Sequence, residues 1–179
     1  MTIRTGLRQR ARQIGTSLIE TLLATAIAGV LGSAAMPSMS SALTQQRLRA
    51  GSSDLFAAFN QARSEAIRRN SAVAVAAADE QDWSAGWKVF VDGNDNGVQD
   101  AGEETLVERP PIDGGMRIQP FFGATYSGRV LSYGAMGRLH RPGGQGLVIG
   151  RLALSLDGAA RSLCFASLGV RSVAAATCD

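Results

Sequence analysis

Apolar residues fall along this chain in three regimes. Between 18 and 36 they are nearly continuous, and these 19 positions hold one charge, Glu20. As a helix, such a run spans about 28 Å at ~1.5 Å per residue, close to the ~30 Å of a bilayer's hydrocarbon core. From 38 to about 70 the apolar positions become periodic. Leu48, Leu55, Phe59, Ala62 and Ala66 recur at spacings of seven, four, three and four, which places them on one helical face. Arg47, Arg49, Arg63, Arg68 and Arg69 fall largely off that stripe. Pro37 at the junction predicts a bend in a continuing helix, and Asn70-Ser71 predicts its stop. Beyond 71 come short β-like runs broken by Gly, Pro, Asp and Asn. They predict strands at 72–77, 86–91, 105–108, 116–120, 129–133, 147–156, 161–165 and 171–174. The expected class is α+β, with a long N-terminal helix packed on a C-terminal antiparallel β-rich domain. Four segments result: 1–15, 16–36, 37–70 and 71–179.

Charge sharpens this picture. Residues 1–15 carry Arg4, Arg8, Arg10 and Arg12 and no acid. Arginines just before an apolar run hold that end in the cytoplasm, so the β-rich domain is expected in the periplasm, anchored by a single pass through the inner membrane. The remaining charge is segregated. Residues 79–113 hold ten acids against Lys88 and Arg109, whereas 114–179 hold seven arginines against Asp157 and Asp179. This pattern reads either as two solvated faces or as an acidic loop region beside a basic, partner-binding one. Outside the cytoplasm the two cysteines, Cys164 and Cys178, are expected to form a disulfide that pins the C-terminal tail.

A carboxylate inside a membrane segment is costly and marks a functional position. Glu20 needs a cation. Cutting the chain after Gly15 would create a new α-amino group at Thr16. Within one helix that amine is poorly placed for Glu20, but a neighbouring subunit shifted along a shared axis could offer it. The pairing would set the register of assembly, because one axial offset joins the charges in low dielectric.

Gly15, then Thr-Ser-Leu-Ile-Glu ending at Glu20, then a long apolar helix with Pro37, resembles the class III signal of type IV pilins and type II secretion pseudopilins. Thr16 departs from the phenylalanine usual there. The stretches FNQARSEAIRRNSAVAV (59–75), WSAGWKVFVDGNDNGVQDAGEETL (83–106) and SLCFASLGVRS (162–172) resemble the GspH/FimT group of minor pseudopilins and minor pilins. The resemblance implies a pilin-like fold in which 1–15 is a prepilin leader. A prepilin peptidase would cleave after Gly15 and methylate Thr16. The helix with Glu20 and Pro37 would then pack against other (pseudo)pilin subunits, through an inner-membrane assembly platform, in a pseudopilus or a pilus tip.

Three further features invite chemistry. DGNDNGVQDAGE (92–103) places Asp92, Asn94, Asn96, Gly97, Asp100 and Glu103 at positions 1, 3, 5, 6, 9 and 12 of a calcium loop. Its flanks read as strands, however, and Asp, Asn and Gly also make ordinary hairpin turns. Calcium is therefore a candidate ligand and not a required cofactor. By resemblance, some FimT-type pilins capture DNA through a C-terminal Gly-Arg-x-Arg motif. Here Gly169-Val170-Arg171-Ser172 keeps one arginine, so DNA contact would centre on Arg171 with Arg161, Arg138 and Arg141. No zinc spacing, Walker loop or nucleophile elbow is present, so no enzymatic activity is expected. A conventionally secreted β domain cut near Ser33-Ala34-Ala35 is the alternative, and N-terminal sequencing separates the two.

Overall fold

The computed structural model describes residues 17–79, 82–112, 114–123, 126–166 and 169–178, with backbone alone at 33–38, 145 and 147. Gly15 and Thr16 lie outside the described residues, as does the side chain of Pro37, and with it the bend expected there. The chain divides into two compact units, Met1–Ser41 and Ala42–Asp179.

Helix α1 covers Leu18–Arg69. Its end follows from local chemistry. Asn70 adopts φ 52°, the left-handed conformation that asparagine tolerates better than most residues. Its amide bonds to Ile67 O, and the Ser71 amide reaches back to Ala66 O at 3.3 Å. That pair of reverse bonds closes a Schellman motif and satisfies carbonyls a helix end would otherwise leave bare. Arg69 holds the last turn in place. It bonds Glu65 at 2.7 Å and Glu104 at 2.6 Å, and Glu65 also pairs with Arg68. These guanidinium groups hold the Glu65 carboxyl below its ordinary range.

Two antiparallel sheets follow. Sheet A comprises β1 (Val73–Ala77), β2 (Trp87–Val91), β3 (Thr105–Arg109), β5 (Val130–Tyr133), β6 (Leu139–Arg141) and β7 (Gln145–Leu147), in the order β3-β2-β1-β5-β6-β7. Sheet B comprises β4 (Arg117–Phe121), β8 (Gly150–Leu156), β9 (Ala159–Ala166) and β10 (Gly169–Val173), in the order β10-β9-β8-β4. A 3-10 turn at Trp83–Ala85, capped by Asp82, precedes β2. The expected single strand at 147–156 is two strands. Val148 is buried and Ile149 exposed where the chain leaves sheet A for sheet B. The expected strand 171–174 starts earlier, at Gly169, and β6 and the first two residues of β7 fall outside every expected strand. Pro120 sits in β4, an edge of sheet B, where a missing N–H does least harm.

One core joins helix and sheets. The stripe Leu48, Leu55, Phe59, Ala62 and Ala66 is fully buried against Val75 and Leu131 of sheet A and Leu152 and Leu163 of sheet B. Phe59 lies at its centre. Its ring meets Phe165 edge-on at 4.8 Å and Trp83 at 5.9 Å. Trp83 donates its indole N–H to Gly128 O at 3.1 Å. Gly128 has φ +69°, and a Cβ there would fall 2.1 Å from the Phe122 ring, so only glycine fits.

Both tyrosines of the chain, Tyr126 and Tyr133, have phenols pushed up to about 12 by burial. Between pH 10 and 12 the unfolded chain therefore ionises phenols that the folded one keeps protonated. Their stabilising effect is complete below pH 10 and is lost as pH rises to 12. Absorbance at 295 nm should stay flat to about pH 11 in the folded protein and rise together with the loss of circular dichroism.

Candidate functional site

Three regions carry the residues of functional interest. The first is the start of α1. The Glu20 and Thr21 amides both bond Ser17 O, at 3.0 and 3.2 Å, so Ser17 caps the helix and Glu20 falls in the first turn, where a carboxylate suits the helix dipole. Glu20 is exposed, and so are its apolar neighbours: Leu18, Ile19, Leu22, Leu23, Ile27, Val30 and Leu31 are each at least 52% exposed. An uncovered apolar rod of this kind marks a surface meant for lipid or protein. The threonines in it hide their hydroxyls. Thr21 donates to Leu18 O at 2.8 Å, and Thr25 to Thr21 O and Leu22 O at 2.9 Å. This back-bonding satisfies them where water is absent. Among the described residues, no helix is long and apolar enough to cross a membrane. The described side chains of this run stop at Gly32, short of the full apolar stretch in the sequence.

The second region is the hairpin loop between β2 and β3. Its alternating Asp and Asn residues turn inward and bond the loop itself. Asp92 is fully buried, and its two carboxylate oxygens accept the amides of Asn96 at 3.0 Å and Gly97 at 2.8 Å. Asp100 Oδ2 accepts both the Asn94 and Asn96 side-chain amides. Glu103 accepts the amides of Gly93 and Asp100. A cation here would compete with these N–H groups for the same oxygens. Among the described residues, no group of three or more His, Cys, Asp or Glu is placed to hold a metal. Burial pushes the Asp92 carboxyl up, against the pull of the two amides. Asp95 clamps the loop to the β6–β7 hairpin by bonding His140 Nε2 at 2.9 Å. At the same join Gly97, with φ +75°, packs so closely that a Cβ would lie 2.6 Å from Pro142.

Asp92→Ala should leave the half-buried Gly97 amide without its acceptor and the Asn96 amide with Asn94 Oδ1 alone, and cost about 1–2 kcal/mol. Urea unfolding measures that loss, and hydrogen exchange at residues 96 and 97 localises it. Millimolar calcium that raised the melting temperature of the parent but not of the variant would assign the loop to a cation.

The third region is the outer face of sheet B. Cys164 and Cys178 are bridged, with a Cα–Cα distance of 5.8 Å. The bridge draws the tail over the sheet, where Ser162 donates its hydroxyl to Ala176 O at 2.9 Å and Arg171 bonds Cys178 O at 2.8 Å. The strand register lines up one rung across all four strands: Phe121, Arg151, Cys164 and Arg171. The Arg151 guanidinium stacks over Phe121 at 4.5 Å. These residues line a groove of about 420 Å3. The four arginines proposed from sequence do not gather. Arg161 faces Ser172 and Arg171 faces the tail on sheet B, whereas Arg138 and Arg141 lie at the β6 end of sheet A. Arg151 belongs to the basic C-terminal region but was not among those four. Its signal was the alternation in β8, where Leu152, Leu154 and Leu156 face the core and Arg151 faces away.

A long helix buried by its stripe against antiparallel sheet, ahead of a disulfide-tied tail, defines a pilin-like fold. Two crystal structures of the type IV minor pilin FimU from Pseudomonas aeruginosa (strain PAO1) share it. Each is 18% identical to this chain, with TM-scores of 0.50 and 0.51; the alignments cover 70% and 73% of this chain and 92% and 90% of those chains. No curated protein matches the chain. The model of the family described as type II transport protein GspH matches residues 52–169. The chain belongs to the GspH family, whose pilin-type members associate with other such subunits.

Proposed function

We propose that this chain is a minor pseudopilin or minor pilin that serves as a structural subunit and not as an enzyme. The first part of α1 is its inner-membrane anchor and, after extraction, its packing rod. The head stands in the periplasm. A prepilin peptidase cuts after Gly15 and methylates Thr16. The subunit then joins other (pseudo)pilins through an inner-membrane assembly platform, in the short pseudopilus of type II secretion or in the tip of a type IV pilus. One observation carries the reading: an apolar rod whose described large side chains are all uncovered, with a single carboxylate near its start, is joined to a GspH-family head. Lipid covers such a rod before assembly and neighbouring rods cover it afterwards.

Glu20→Gln keeps shape and removes charge, and is the test. The variant should be cleaved to a start at Thr16 and remain in the membrane, yet fall at least tenfold in sheared filament fractions. Normal incorporation of Glu20→Gln, or a mature protein starting at Met36, would sink the reading. Parallel assays of exoprotein release and twitching in a deletion strain assign the machine.

A further inference from the structure

The groove on the outer face of sheet B is open, and its chemistry is of two kinds. Directly opposed residues of antiparallel strands share a face, so Arg151 and Arg171, each paired with Cys164, point to the same side of the sheet. They stand two strand spacings apart, about 10 Å. Stacking on Phe121 holds the Arg151 guanidinium flat and leaves its edge to bond outward. Arg171 is exposed; it gives one N–H to Cys178 O and keeps the rest of its fork. Phe121 and Ile149, both exposed, supply apolar wall, and the described lining holds no acid. The arginine excess of residues 114–179 already counts Asp179 beside Cys178. The complement stands on the same head. The β2–β3 loop holds five acids between 92 and 104 and neither lysine nor arginine. At its tip Val98 and Asp100 are exposed. The tip is stiff, because Asn96 Oδ1 accepts the Val98 amide at 2.7 Å and Asp100 Oδ2 holds two side-chain amides. The clamp to His140 and Pro142 fastens this loop to sheet A, so a chain does not fill its own groove on sheet B.

We infer that this groove receives the tip of the β2–β3 loop of a second copy of the chain, with Val98 against Phe121 and Ile149 and Asp100 against Arg151 and Arg171. Charge and shape select the occupant together. An apolar side chain two residues from a carboxylate meets an apolar wall beside two guanidinium forks, which suit carboxylates. A polynucleotide fits less well. It needs cations along the length of its backbone, whereas Arg161 faces Ser172 and Arg138 and Arg141 lie on the other sheet. Because the loop is held by its own hydrogen bonds, docking orders few side chains. The contact is heterologous. Each end copy keeps a loop or a groove unfilled, so copies add head to tail in an open series unless the rotation closes it. It is also small. One loop tip in a groove of about 420 Å3 buries less than the roughly 1,200–2,000 Å2 of stable interfaces, so free copies associate weakly. Heads held side by side by their rods meet at an effective concentration on the order of millimolar. The inference rests on the reading of the chain as a filament subunit for that last step alone.

Cross-linking of full-length copies in detergent tests this. One copy carries Ala101→Cys beside Asp100, and a differently tagged copy carries Ala166→Cys in the groove; both positions are exposed. A short bismaleimide joins free thiols and spares the Cys164–Cys178 bridge. The mixture should give a two-tag dimer at about tenfold the yield seen when Met136→Cys, exposed elsewhere on the head, replaces Ala101→Cys. Val98→Ser or Asp100→Asn in the loop copy, or Arg151→Gln in the groove copy, should each lower the yield about fivefold or more. Salt at about 0.5 M should lower it as well. Val98→Ser changes an exposed side chain, so it reports on docking even if Arg151→Gln fails to fold. Glu20→Gln in both copies should leave the yield unchanged. Loop and groove both lie within the Ala42–Asp179 unit, so this contact can fail while filament incorporation stands, and the reverse. A yield no higher than with Met136→Cys, an unchanged yield in Val98→Ser or in Asp100→Asn, or a yield that falls with Glu20→Gln would each overturn the inference. So would a single-stranded oligonucleotide that abolishes the cross-link in the parent and loses its binding in Arg151→Gln, which would assign the groove to nucleic acid.

Discussion

Phe59→Ala should lower the free energy of unfolding by about 3–5 kcal/mol, the usual cost of removing a fully buried aromatic ring. Few substitutions in this chain have so little chance of repair. Phe59 is wholly buried and touches Phe165 on β9 and Trp83 in the 3-10 turn. Those partners are fixed from other directions: Trp83 by its bond to Gly128 O, and Phe165 by Phe122 at 5.4 Å. The surroundings therefore cannot collapse into the space left behind. Alanine has the better helix propensity, but that gain is well under 1 kcal/mol. The midpoint of a urea titration should fall with little change in slope. A loss under 1 kcal/mol would mean that helix and sheets are not joined through this ring.

Cys178→Ser should cost about 3 kcal/mol, the chain-entropy value for a closed loop of some 15 residues. The effect should be more local than that of Phe59. Loss of the bridge unties the tail from Ser162 and removes the fixed acceptor of Arg171, both of which depend on the path from 173 to 178. Limited proteolysis should then cut after the last strand while the helix stripe stays protected. Dithiothreitol should reproduce the variant's melting temperature in the parent and leave the variant itself unchanged. A parent indifferent to reductant would show that the tail is held by its hydrogen bonds alone.

Helix and strands were legible in unequal measure. The stripe from Leu48 to Ala66 could be read because a helix pressed on a core repeats its apolar positions at 3.6 residues, and each of the five is fully buried. Most strands lay within one or two residues of expectation, since glycine, proline and asparagine fix where chains turn. The β6–β7 hairpin could not be read. It is three residues a side, broken by a register shift at His140/Arg141 and closed by Pro142 and two glycines, so it has no alternation to detect. The run 147–156 looked like one strand because apolar residues recur from Leu147 to Leu156 with one charge, Arg151, among them, while the change of sheet at Val148 and Ile149 is a tertiary event. The loop 92–103 illustrates a different limit. Oxygens at alternate positions are what a cation needs and also what a turn needs for its amides, and spacing cannot tell them apart. Tyr126, in a stretch of Gly, Thr and Ser, offered no signal. Its place is set when Arg141, fifteen positions on, folds over it.

Pro120 has a consequence for how copies of this protein can meet. Sheet B ends on one side at a strand lacking an amide hydrogen midway, and on the other at β10, where glycine leads and the long charged chain of Arg171 stands out. Neither margin invites a fifth strand from another molecule. Crowded heads along a fibre should therefore meet through side chains and stay separable, and not fuse edge to edge into amyloid-like ribbons.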